Sequence, residues 1–271
     1  MAEKNYAEQR ASVLESLDGL RVDIDVEKRI GYLLLDRDPL NIVSYTGRHQ
    51  IRALIEEMDE DADIGVIVIK GANGVYTSGG DVKAFPDIPK NKMSDLHWNI
   101  GAPERADKPV IVAMEKYAFG VGFELAMACD FRFATKDTLV GLPESSLGQM
   151  PGSGGSVRVA RIAGLTRAKD MVMLGTRISA IKAHEWGLLT NVAEDAAALQ
   201  TMVEEYAGKL NALSPIALAS LKKVINSAYD SPLKTSLEVE GHSYEKLRWT
   251  HDYSEGIAAF AERRKAKFKG E

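Results

Sequence analysis

Two glutamates could do chemistry. Glu124 is the single charged residue in the otherwise apolar run Phe123-Glu-Leu-Ala-Met-Ala-Cys129. A carboxylate in such a run is costly to bury unless it is paired or used. It can also sit at a helix start, where the helix dipole favours an anion. Glu144 follows a proline in Leu142-Pro-Glu-Ser145 and could simply open a helix. A carboxyl that is used in such a setting most often moves protons.

Both glutamates lie in glycine-rich surroundings. Three segments matter: Tyr76-Thr-Ser-Gly-Gly-Asp-Val-Lys83, Phe119-Gly-Val-Gly-Phe-Glu-Leu-Ala-Met127, and the stretch from Leu142 through Gly148 and Gly152 to Gly155. Glycines after strands are commonly plain turns. A dinucleotide fingerprint fails at Gly120-Val-Gly122, because Leu125 stands where the third glycine belongs and five residues separate Met114 from Gly120. A P-loop is excluded, since no glycine is followed by Lys and Ser/Thr.

The elements that must position these segments follow from periodicity. Leu20, Val22 and Ile24 alternate as in a strand, and residues 30–35 supply a second strand close enough for a hairpin. Ile51, Leu54, Ile55 and Met58 recur at helical spacing. Residues 64–70 and 108–114 are short apolar runs suited to strands buried on both faces. A helical stretch with Met93, Leu96 and Ile100 lies between them. Strand, helix, strand, helix implies crossover connections and an α/β core. After Val192 the strand signal stops. Residues 195–212 read as a helix, Ser214-Pro215 and Ser231-Pro232 as helix starts, and Asp252 with Glu255 as a capping box.

Composition sets the class. The chain has 271 residues, 45% hydrophobic and 27% charged, with a net charge of −5. That suits one large globular domain, or one with an appendage. The acidic balance opposes nucleic-acid binding. No apolar run approaches a membrane span, and the acid-rich start is neither a secretory signal nor a transit peptide. With one cysteine, Cys129, no internal disulfide forms. The expectation is a cytoplasmic protein. The five histidines, His49, His97, His184, His242 and His251, are not at ligand spacing, so no metal is expected. Cys129 reads as an inert core residue.

Taken together and in order, the motifs resemble the enoyl-CoA hydratase/isomerase (crotonase) superfamily. Gly79-Gly-Asp-Val-Lys83 is similar to its G-A-D-[IL]-K signature, with Gly80 in the alanine position. Residues 116–130 are similar to its G-x-x-x-G-G-G-x-E-L-x-x-x-C-D segment, with Lys116 for the first glycine and Val121 for the middle one of the later three. Residues 141–155 are similar to its F-x-x-P-E-x-x-L-G-x-x-P-G-x-G-G segment. Leu174-Gly-Thr-Arg-Ile-Ser-Ala180 resembles its T-G-x-x-[IL]-x-A segment with Leu174 for the threonine, Gly187-Leu-Leu189 is close to its G-L-V, and Ala259-Phe-Ala-Glu-Arg-Arg264 resembles its closing A-F-x-E-[KR]-R.

The resemblance implies an α/β fold: a ClpP-like spiral of repeated ββα units over residues 1–197, then an all-helical trimerisation region over 198–271. It implies a homotrimer or a dimer of trimers. It implies an acyl-CoA thioester substrate and reversible addition of water across the 2,3 double bond of an enoyl-CoA. No cofactor is implied, since coenzyme A is part of the substrate. By position, Glu124 would deprotonate the attacking water and Glu144 would protonate Cα. The backbone N–H groups of Gly80 and Val121 would form the oxyanion hole, and the N–H of Gly152 would help hold the water. Lys83, Arg263 and Leu40 would contact CoA. For Lys83 and Arg263 a solvated surface charge is the competing reading.

Departures in the loop Asp38-Pro-Leu-Asn-Ile42 and at Trp249-Thr-His251 bear on the acyl group rather than the chemistry. The alternative within the fold is an isomerase or hydrolase acting on a cyclic, branched or aromatic acyl-CoA. A binding protein using the basic tail at residues 263–269 is a third reading, opposed by the net charge and the glutamate pair.

Overall fold

The computed structural model describes residues 16–88 and 95–271. The expected hairpin forms. β1 (Leu20–Asp25) and β2 (Ile30–Leu35) pair antiparallel, Leu20 opposite Leu35. Parallel strands β3 (Val66–Gly71) and β4 (Val110–Met114) follow. After β5 (Tyr117–Phe119) come β6 (Phe131–Thr135), β7 (Leu139–Gly141), β8 (Ile178–Ser179) and β9 (Asn191–Ala193). The large sheet runs β1-β2-β3-β4-β6-β9, and a small sheet runs β5-β7-β8.

Helices cover both faces of the large sheet, which explains the apolar strands. Side chains alternate along a strand. Ile67 and Ile69 of β3 join Ile51, Leu54, Ile55 and Met58 of α1 (Tyr45–Glu60). Val66 and Val68 turn to the opposite face. There they meet Leu199, Val203, Ala207 and Leu210 of α8 (Ala196–Asn211). Between them lie α2 (Leu96–Ile100), α3 (Ala102–Arg105), α4 (Val121–Ala128), α5 (Gly155–Ala163), α6 (Leu165–Met173) and α7 (Ala180–Glu185). The expected helical stretch is α2, and its Met93 lies outside the described residues.

After β9 the chain is helical: α8, then α9 (Pro215–Asp230), α10 (Leu233–Leu247) and α11 (His251–Glu262). By packing, α8 belongs to the sheet. Asp195 caps it by accepting from the Ala198 N–H, and Ser214 caps α9 from Ala217.

Two expected caps are different. Ser231 is extended and terminates α9, and the residue before α10 is Pro232, with no side-chain cap. A residue preceding proline is driven to the extended region, so the chain turns one residue later than the motif suggests. The cap of α11 is Thr250, which accepts from the Tyr253 N–H. Asp252 and Glu255 lie inside that helix because the C-terminal tail claims them. Asp252 accepts from Ser214 Oγ at 2.7 Å and from the N–H groups of Lys269 and Gly270 at 2.7 and 3.0 Å. Glu255 takes Arg264 and the Lys267 N–H.

A largely buried ion pair, Lys222 Nζ to Asp130 at 2.8 Å, joins α9 to the end of α4. Lys222 also donates to the carbonyls of Pro103 and Lys108. The helices α9 to α11 expose large apolar side chains, among them Leu221, Ile225, Leu237, Ile257 and Phe260. No described helix is long and apolar enough to cross a membrane.

Candidate active site

Glu124 occupies the first turn of α4 and is 2% exposed. The turn before it needs a positive φ, which Gly120 supplies at 51°. Oε1 of Glu124 accepts the N–H groups of Ser153 and Gly155 at 2.7 and 3.0 Å. Glycine is required at 155, because a Cβ there would lie 2.9 Å from Glu124 Cγ. The loop carrying these amides is itself braced. Arg158 donates to the Ser153 carbonyl at 2.8 Å and forks onto Glu104 with two bonds of 2.6 Å.

Glu144 lies on a single 3₁₀ turn, Pro143–Leu147, directly after β7. The Gly120 N–H donates to the Gly141 carbonyl, which ties this turn to the start of α4. The carboxyl packs on the Gly120 backbone: a Cβ at 120 would sit 2.9 Å from Oε1. Oε2 is buried with no hydrogen-bond partner. Burial raises the Glu144 pKa to about 7; its own backbone N–H opposes that shift, the charge of Glu124 adds to it, and Arg48 opposes it. The Glu124 charge therefore reaches Glu144, and the raised pKa favours a protonated Glu144 carboxyl below about pH 7.

The turn bearing Gly80 is laced to both neighbours. The Val43 N–H bonds the Gly79 carbonyl, the Asp81 N–H bonds the Val43 carbonyl, and the Thr77 N–H reaches Tyr117 on β5. Thr77 Oγ1 accepts from the Gly79 N–H at 3.0 Å. Neither the Gly80 N–H nor the Val121 N–H donates to an acceptor among the described residues. Val121 has no positive φ, so its β-branch is no obstacle; Gly120 carries that conformation instead.

The remaining expected site residues lie further out. Leu40 is 41% exposed, and its carbonyl accepts from Ser78 beside the Gly80 turn. Lys83 is exposed on the 3₁₀ turn Val82–Asp87 that follows Gly80. Arg263 is exposed at the end of α11. Gly152 is exposed and makes no bond to Glu124; the amides that do are Ser153 and Gly155. Those two were within the glycine-rich signal, but their target could not be read from spacing. Arg48 of α1 was missed. It is 6% exposed and electrostatically coupled to both glutamates. Nothing in its local sequence marks it, since a charged residue on an amphipathic helix is ordinarily solvated. Cys129 is buried, and burial pushes its thiol pKa up, which removes it as a nucleophile. No group of three or more His, Cys, Asp or Glu could hold a metal among the described residues.

Comparison with known proteins gives a consistent picture. The model of the family described as enoyl-CoA hydratase/isomerase matches residues 25–271. A Bacillus subtilis protein described as a probable enoyl-CoA hydratase is 32% identical over 255 residues, covering 92% of this chain and 99% of the relative. The solved structure of an enoyl-CoA hydratase from Bacillus anthracis superposes with a TM-score of 0.86 at 31% identity, over 94% of this chain and 100% of that one. One from a Polaromonas species does so at 0.86 and 30% identity, over 92% and 99%.

Proposed function

Because this chain belongs to the enoyl-CoA hydratase/isomerase family, we propose that it is an enoyl-CoA hydratase, a hydro-lyase, and that Glu124 and Glu144 carry the reaction. The observation that carries this reading is the pair itself. One carboxylate is oriented by two backbone N–H groups, and the other is held protonated near neutrality by burial.

In the hydration direction a water held by Glu124 attacks Cβ, and Glu124 takes its proton. The π electrons move onto the thioester oxygen, giving an enolate. The Gly80 and Val121 N–H groups, which have no acceptor among the described residues, donate to that oxygen. One such fixed donor contributes about 2.7–4 kcal/mol to a transition state. Glu144 then gives its proton to Cα as the enolate collapses. Dehydration reverses each step, with Glu144 as base. Lys83, Leu40 and Arg263 are assigned to the CoA moiety, and Gly152 to the edge of the water site. The apolar side chains exposed on α9 to α11 support self-association into trimers or pairs of trimers.

The test is product mass. The pure protein is given straight, branched, cyclic and carboxylated enoyl-CoAs. Hydration adds one water to the thioester. An unchanged mass with a shifted double bond would make it an isomerase, and free CoA would make it a hydrolase.

A further inference from the structure

Arg48 is a buried charge without an ion-pair partner among the described residues. It lies in the first turn of α1, where the helix dipole disfavours a cation. It is 6% exposed, its Nε is buried without a hydrogen-bond partner, and it forms no ion pair among the described residues. Burial lowers its pKa, while the charges of Glu124 and Glu144, neither within ion-pair distance, act the other way. A buried guanidinium is tolerated only with acceptors for its donors. What it touches is the substrate side of the fold. Nη2 would be 2.9 Å from a Cβ on Gly80, and the ring of Phe85 lies 5.9 Å from its Cζ. Position 80 is where the related motif carries alanine. The glycine here leaves room for the guanidinium beside the N–H group assigned to the thioester oxygen.

Resting on the hydratase reading of this site, we propose that Arg48 selects a short enoyl-CoA whose acyl group carries a free carboxylate. The chemistry fits. A carboxylate supplies two acceptors that match the guanidinium fork. It also neutralises a cation that forms no ion pair among the described residues. Because Arg48 abuts the oxyanion-hole residue, the carboxylate must lie within a few carbons of the thioester. Without this cation, an anionic acyl group would have to enter beside two glutamates. A site with buried donors rejects an analogue that leaves them unpaired, by up to about 10⁴-fold.

The probes are glutaconyl-CoA and crotonyl-CoA, which differ by a carboxylate on the terminal carbon. The wild type is expected to hydrate glutaconyl-CoA with a kcat/KM about 100-fold higher. Arg48→Met is expected to lose that preference, Arg48→Lys to recover part of it, and Gly80→Ala to reduce it by pushing a methyl into Nη2. Equal kcat/KM for the two substrates in the wild type, or an equal loss on both in Arg48→Met, would overturn the proposal and leave hydratase chemistry standing. Binding of the unreactive glutaryl-CoA and butyryl-CoA, measured by calorimetry, decides the matter independently of turnover. Arg48-dependent preference for glutaryl-CoA supports the proposal even if neither enoyl-CoA is hydrated, and equal affinities sink it.

Discussion

At the scale of residues, the two glutamates are chemically unequal because their surroundings are. Glu144 is packed on Gly120 with one oxygen unpartnered, and its pKa rises to about 7. Hydration needs it protonated, so kcat/KM for hydration should fall as pH rises through about 7. Dehydration starts from the state with the same one proton on the pair, and the hydration equilibrium neither takes up nor releases a proton, so its kcat/KM should fall over the same range. A kcat/KM that stays flat across pH 7 would contradict the assignment. The raised pKa also bears on stability. The folded state keeps a proton that the unfolded chain releases, so stability declines between about pH 4.5 and pH 7 and stays low above. Glu144→Gln should therefore raise Tm more at pH 8 than at pH 5, which a thermal scan at both values reads. Gly120 is the companion residue. Alanine there must adopt φ of 51° and place a methyl 2.9 Å from Oε1. Gly120→Ala should cut activity by about 100-fold through displacement of Glu144, with CoA binding retained. Both glutamates were legible in the sequence, one as a charge in an apolar run and one through its motif. Arg48 was not, because its significance is a contact with Gly80 made across about thirty residues of chain.

At the scale of elements, the site depends on braces that the sequence does not announce. The loop that holds Glu124 is fixed by Arg158, which spans from α5 to Glu104 on α3. Arg158→Met should lower kcat by about 10- to 100-fold through misplacement of Glu124, while KM changes little. A purely structural Arg158 would instead shift Tm and leave the activity of the folded fraction intact. Strands and helices were legible wherever burial imposes a period. The hairpin, α1, the buried β3 and β4, and α8 all follow from it. The caps of α10 and α11 were not, because Thr250 competes with Asp252 for one role and the tail decides which wins. Burial alone would raise the Asp252 pKa, but the Lys269 N–H, the Ser214 hydroxyl and the Gly270 N–H reverse that and hold it below the usual carboxylate value. The resulting stabilisation is present above the unfolded pKa and is lost as pH falls through the lower folded one.

At the scale of the molecule, the helical end is joined to the sheet by α8 and by the Lys222–Asp130 pair. Removing one member of a buried pair strands the other charge. Lys222→Met should lose about 3 kcal/mol of stability in a denaturant titration, with the glutamate site unchanged in the folded protein. The shape of the fold was legible because its crossover pattern and motifs run in one order along the chain. The acyl specificity was not, since it depends on which side chains three distant segments bring together. The measurement that tests the central claim most directly is kcat/KM of Glu124→Gln on the best enoyl-CoA of the panel. With the amide in place of the base, turnover should fall by about 10²–10⁴-fold while substrate still binds. A variant that hydrates like the wild type would contradict the account.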